Sequence, residues 1–284
     1  LHTHIAPRQR PFAGLHGQAV PALRGGGRLN QTMHLARMFM LDMLRQKTVI
    51  FSCFILPAII IWSTWWVTAD LPMTFRIDSG TVVESSMIDI HLVTGALTGM
   101  AITAGLFAFL VMTEARRVSE RLRVAGYAPA SVLAGPFLAI LIVLVVAALA
   151  SFGLAIALDV PDQPFGLLWA VLLTTLIYSG IGMFVAAVYP RVMEGSFIVL
   201  LVSFLDLMFV SNPMGEGVYM EAWSYWWPGF WATQIALESG FLNSHAVWAK
   251  ATLLSLLYAG VVIAGTMALR IRPPALLRRM ARGA

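Results

Sequence analysis

MTEARRVSERLRVAGYAPAS, residues 112–131, is the most charged window of a chain that is otherwise apolar. It carries Glu114, Arg116, Arg117, Glu120, Arg121 and Arg123, and it closes on Gly126 and Pro129. Arg116 and Glu120 stand one helical turn apart, and Glu120 also reaches Arg123. Such pairs stabilise a helix by about 0.2–0.5 kcal/mol each. Gly126 suits a helix C-cap and Pro129 stops the element. Uncharged apolar runs lie on both sides, so the stretch is expected to be a short charged helix between two membrane spans.

Composition supports that setting. Of 284 residues, 59% are hydrophobic and only 12% are charged, whereas a soluble domain has about 25% charged residues. A chain this apolar cannot cover a soluble surface, so its solvent is expected to be lipid. The net charge of +5 then reflects loops on one side of a membrane rather than a nucleic-acid partner. The single cysteine, Cys53, allows no intrachain disulfide and reads as a small buried hydrophobe. GxxxxGK[ST], GxSxG, HExxH and CxxC patterns are absent from the sequence. No catalytic residue, nucleotide loop or metal site is expected in this chain.

Six apolar runs, at about 48–69, 90–112, 132–158, 166–188, 195–211 and 247–269, approach the ~20 residues that cross ~30 Å of hydrocarbon. Helices are the open-ended elements that satisfy their own backbone in lipid. The expected fold is an all-α polytopic membrane protein, with residues 30–272 as its transmembrane domain. Residues 1–29, rich in Pro, Gly and Arg, are expected to be a disordered cytoplasmic leader. Residues 273–284 are expected to form a basic cytoplasmic tail.

Asn30–Lys47 has the period of an amphipathic helix, with Leu35, Ala36, Phe39, Met40, Met43 and Leu44 on one side. It is expected to lie in the headgroup region and to run without a breaker into the first span. Positive charge falls on alternate loops. The N-terminal side, the 114–131 segment and the tail (Arg270, Arg272, Arg278, Arg279, Arg282) are basic, and the 70–89 loop is acidic. Both termini are therefore expected in the cytoplasm, and the tryptophans are expected at the opposite interface.

The 212–246 loop is too long for a turn and too apolar for a solvated loop. Its centre, AWSYWWPGFWATQIAL, bends at Pro228-Gly229. Two short helices, about 217–227 and 229–239, are expected to dip into the outer leaflet as a re-entrant hairpin. A surface-lying loop with Trp anchors is the alternative. Gly95 and Gly99 fit a small-xxx-small packing pattern, with Gly105 further along. Asp206 is the one acid well inside a span, where a carboxylate costs about 2.5–3.5 kcal/mol on insertion scales. It either touches substrate and gates the outer exit, or bonds a neighbouring helix at Tyr178 or Ser179. Thr174, Thr175 and Tyr178 make the fourth span mildly polar on one side.

An interfacial helix, six spans, the charged Glu114…Glu120-Arg121…Gly126…Pro129 segment, a Tyr189–Glu194 turn and an apolar hairpin follow in that order. Over about residues 30–272 this resembles the permease subunit of the type-2 ABC exporter family, which includes bacterial drug, polysaccharide and teichoic-acid exporters. The resemblance implies residence in the bacterial cytoplasmic membrane. It also implies a pair of permease chains, identical or related, seated on separate ATPase subunits that hold ATP and Mg. Glu114, Arg116, Arg117, Glu120, Arg121, Arg123, Gly126, Arg191 and Glu194 would then couple to the ATPase. Trp223, Trp226, Trp227, Pro228, Phe230 and Trp231 would form the outer gate. Asp206, Tyr178 and Thr174 would lie along the pathway. The cargo implied is amphipathic: drug-like, lipid-linked or a glycan. An ATP-independent carrier or channel, a membrane enzyme using the His91–Asp89 pair, and a simple anchor are the alternatives.

Overall fold

The computed structural model describes residues 27–76, 81–158, 161–189, 191–210, 224–242 and 244–271. Its elements are α1 (Arg28–Arg45), α2 (Lys47–Val67), β1 (Pro72–Arg76), β2 (Val82–Ser86), α3 (Met87–Val124), α4 (Pro129–Leu158), α5 (Pro164–Val188), α6 (Val192–Val210), α7 (Phe230–Phe241) and α8 (Trp248–Ile271). Helices α3, α4, α5 and α8 are long and apolar enough to cross a membrane. The chain is an α-helical membrane protein with one small β-hairpin. Helices α2 and α6 coincide with the other two apolar runs.

Helices α3 and α5 form the centre. They cross so closely that a Cβ on Gly182 would collide with the Gly105 carbonyl. Earlier on α3, a Cβ on Gly95 would meet Thr64 Oγ1 at 2.7 Å and one on Gly99 would meet Pro57 Cα at 3.1 Å. The small-residue pattern therefore seats α2 against α3. The outer helices turn apolar stripes away from the protein: Ile55 and Ile59 on α2, Ile142 and Val146 on α4, Phe197 and Leu201 on α6, and Leu253 and Leu257 on α8. Repeats of three and four residues keep each stripe on one face. Such a belt is stable only in lipid.

The charged window differs from expectation. It is the end of α3 itself, a 38-residue helix about 57 Å long at 1.5 Å per residue, rather than a separate short helix. Residues 106–124 contain neither glycine nor proline. Ala108, Met112, Ala115 and Ser119 carry a buried stripe straight through the charges. The helix stops in a Schellman turn. Gly126, at φ +92°, donates to the Arg123 carbonyl at 3.0 Å, and Tyr127 donates to the Leu122 carbonyl at 3.1 Å. Tyr127 and Leu122 pack together beside Leu35, the apolar contact that accompanies this turn.

Helix α1 also departs from its expected course. Its apolar face is docked on protein: Leu35, Ala36 and Met43 are buried, whereas Leu44 is exposed. Leu35 lies against Gly135 of α4, and Gln31 Oε1 accepts from the Ala128 N–H at 3.2 Å. The chain breaks at Gln46 (φ −87°, ψ 81°) although no Gly or Pro stands there. Docking on α4 imposes an elbow that local sequence does not signal. The other unexpected feature is the antiparallel β-hairpin, in which Thr74 pairs with Glu84. Phe75 on β1 meets the Phe241 ring edge-on at 5.2 Å, so the hairpin is pinned to the end of α7. Ser86 then caps α3, accepting from the Ile88 N–H at 3.2 Å.

One consequence is testable at Gly126. An alanine there must adopt a backbone that L-residues avoid. Gly126→Ala is expected to cost about 1–3 kcal/mol, read as a lower unfolding midpoint of the detergent-solubilised protein.

Candidate functional site

The two ends of the helix bundle carry different chemistry. At one end lie the Schellman turn, α1, the start of α6 and the last turn of α8. Gly195 of α6 abuts the Phe109 ring of α3, and Arg270 Nη2 donates to the Met112 carbonyl at 3.1 Å. Arg116, Arg117, Arg121 and Arg123 are exposed here. Arg116 and Arg123 act electrostatically on Arg270, so three like charges share one small region. The side chain of Glu120 lies outside the described residues, and with it the expected pairs to Arg116 and Arg123. Glu114 is half-buried and lines a partly open cavity with Asp42. Arg191 and Glu194 pair with each other at 2.9 Å, both exposed.

At the other end only part of the segment expected to form the hairpin falls among the described residues. Trp223 and most of the first helix, 217–227, lie outside the described residues. The described end of that segment is a 3-10 turn, Ser224–Trp226. Helix α7, Phe230–Phe241, matches the expected second helix to within two residues. At 12 residues it is about 18 Å long, too short to cross ~30 Å of hydrocarbon. Phe230 and Trp231 are buried and stack edge-to-face at 5.0 Å. Both lie against Tyr225, at 4.9 Å and 5.6 Å. Lys250 Nζ stands 4.4 Å from the Trp231 ring centroid, a cation–π contact. Pro228 is buried and Trp227 half-buried, whereas Trp226 is 84% exposed. Among the described residues expected at the gate, Phe230, Trp231 and Pro228 pack in a core and Trp226 turns outward.

Asp206 sits under this core. Its Oδ1 accepts from the Gly229 N–H at 3.2 Å, at the start of α7. A Cβ on Gly229 would collide with the Asp206 carboxylate, so glycine permits the approach. The Tyr178 hydroxyl lies beside the same carboxylate. Thr174, Ser203 and Thr233 complete the surroundings. The gap they leave is about 10 Å³, room for about one water molecule. Asp206, Tyr178 and Thr174 are therefore brought together, but in packed protein rather than along an open path.

Glu238 was hidden in the sequence as one of several loop acids. It is fully buried, and its two oxygens accept from the Ala246 and Val247 N–H groups at 3.0 and 3.1 Å. It caps the start of α8, as Asp206 caps α7. Its place three and four residues after Ile235 and Gln234 on a buried helix was the available signal. At the rim, Trp169 Nε1 donates to Thr252 at 3.0 Å, and Trp248 stacks on His245 at 4.5 Å. His91 contacts Thr68 at 3.0 Å rather than forming a catalytic pair with Asp89. Among the described residues no group of three His, Cys, Asp or Glu could hold a metal ion.

No protein-family model matches the chain, and no curated protein matches it.

The two buried acids can be separated by substitution. Asp206→Asn retains an oxygen for Gly229 and is expected to keep the fold. Asp206→Leu and Glu238→Ala leave buried N–H groups without acceptors, and each is expected to cost about 1–3 kcal/mol. Thermal unfolding in detergent micelles reads all three.

Proposed function

We propose that this chain is the permease subunit of an ATP-binding-cassette exporter in a bacterial cytoplasmic membrane. The observation that carries the reading is the unbroken α3. One helix passes from the Ser86 cap through the buried centre to an arginine face at its tip. A displacement applied at the tip would move the helix that α2, α4 and α5 pack against, because residues 106–124 contain neither Gly nor Pro at which the helix could kink.

The tip also needs an anionic partner. Arg116, Arg123 and Arg270 repel one another, and among the described residues the only ion pair at this end is the separate Arg191–Glu194 contact. An acidic groove on an ATPase subunit would relieve that repulsion. ATP and Mg belong to that subunit, since this sequence has no phosphate-binding loop. Nucleotide shifts the permease only by its differential affinity for two states, and α3 is the lever through which the difference would reach the spans. In this reading α2, α3, α4, α5, α6 and α8 are the six spans and both termini are cytoplasmic. The segment ending in α7 is the re-entrant outer gate, and a second permease chain, identical or related, completes the pathway. The cargo class is amphipathic: drug-like, lipid-linked or glycan. The ATP-independent carrier is the weaker reading, because a carrier needs an accessible intramembrane charge. Asp206 is already committed to α7.

The experiment replaces the outward charges together, as Arg116→Glu, Arg117→Glu and Arg121→Glu, in the full chain expressed with its genomic neighbours. Recovery of an ATPase subunit on affinity purification is expected to fall at least about tenfold, the loss of about 1.4 kcal/mol or more, with membrane insertion intact. Undiminished recovery, or no ATPase recovered with the unaltered chain, overturns the proposal.

A further inference from the structure

Helices α1, α2 and α3 border a partly open cavity of about 320 Å³ that neither ATPase docking nor the outer gate explains. It lies in the half of the protein nearest the arginine tip, under the Gln46 elbow. Its body is apolar, formed by Phe39, Leu56, Leu106, Phe107 and Leu110. Its polar end holds two carboxylates, Asp42 and Glu114, from different helices. None of the described residues lining it is basic.

Two further observations point to an occupant. Burial pushes the Asp42 carboxyl above the usual carboxylate range, while the Gln46 hydrogen bond and nearby Arg45 pull it down. Burial thus disfavours the Asp42 charge more than Gln46 and Arg45 favour it. The second observation lies deeper. Along α3, Thr94, Thr98, Thr113 and Ser119 each donate to the carbonyl four residues earlier, the normal way to satisfy a hydroxyl on a helix in lipid. Thr103 does not. Its Oγ1 is buried without a hydrogen-bond partner, its side chain is 3% exposed, and it lines this cavity.

We propose that this cavity binds a lipophilic cation, with the cationic head held between Asp42 and Glu114 and the apolar body resting on Leu56, Leu106, Phe107 and Leu110. The volume is at the lower end of small-molecule sites, which span about 300–1,000 Å³. The charge pattern selects a cation over an anion, and the apolar walls select an amphiphile over a hydrated ion. The ammonium of a phosphatidylethanolamine headgroup and a free hydrophobic amine share this chemistry. The inference does not rest on the permease reading, because it concerns occupancy of one chain and not transport.

The test uses the full chain in an uncharged detergent. Tetraphenylphosphonium is the probe, and tetraphenylborate, equal in shape and opposite in charge, is the control. Saturable binding of the phosphonium and none of the borate is expected. The double variant D42N/E114Q is expected to weaken phosphonium binding at least about tenfold. Leu106→Trp, which fills the apolar part and leaves both carboxylates, is expected to do the same. Equal binding of the borate, absence of saturable phosphonium binding, or unchanged affinity in a folded variant overturns the proposal. If the double variant does not fold, the phosphonium–borate contrast in the unaltered chain and Leu106→Trp still decide. Native mass spectrometry separates the sources. Phosphatidylethanolamine retained by the unaltered chain and lost in D42N/E114Q identifies a lipid headgroup. Phosphonium binding with no retained lipid identifies a free small cation.

Discussion

A helix that starts inside an apolar body begins with N–H groups that have no water to turn to, and Asp206 answers that constraint for α7. The cost of placing a carboxylate in α6 is offset by what it meets there: the Gly229 N–H and the positive end of the α7 dipole. Gly229 is part of the same solution, because a side chain at that position would displace the carboxylate. Once α7 is anchored at its start, Glu238 at its other end can reach the opening turn of α8. Two acids thus join α6, α7 and α8 into one unit through three helix ends. Neither is free to act as a mobile charge, and this end of the bundle is held together by them.

The opposite end is organised by α3. A buried stripe through Ala108, Met112, Ala115 and Ser119 keeps the helix on protein while the intervening positions turn arginines outward. The Schellman turn then reverses the chain within Gly126–Ala128, and Gln31 of α1 binds the Ala128 N–H. The tip is consequently held from two sides, by α1 and by Arg270 of α8. A force on any one of these elements is felt by the others.

Much of this was legible in the sequence for a simple reason. Uninterrupted apolar runs report the long helices by length, Gly95 and Gly99 report close helix packing without naming the partner, and Gly126 reports the helix stop, so these follow from local pattern. The failures share a different cause. The Gln46 elbow has no breaker residue, because docking of Leu35 on Gly135 decides it. The β-hairpin carried the usual sequence signals, β-branched Val82 and Val83 after the turn-favouring residue types Asp78, Ser79 and Gly80, but they were submerged in a loop read only for its charge. Glu238 and Asp206 are acids whose partners are backbone N–H groups many residues away, and no spacing rule reports a backbone partner. The arginines were legible as charge; that Glu114 lines a cavity with Asp42 was not.

The side of α3 that Glu114 takes follows from helix geometry. At 100° per residue Arg116 and Arg123 lie about 160° and about 180° from Glu114, whereas Arg117 and Arg121 lie about 60° and about 20° away. Arg116 and Arg123 therefore face away from the cavity that Glu114 lines with Asp42 of α1 and Leu56 of α2, while Arg117 and Arg121 stand beyond Glu114 on its own side of the helix. A rotation or sliding of α3 would move Glu114 against Asp42 and change the shape of the space between α1 and α2. The cavity and the charged tip share one helix, so a displacement of α3 would reach both.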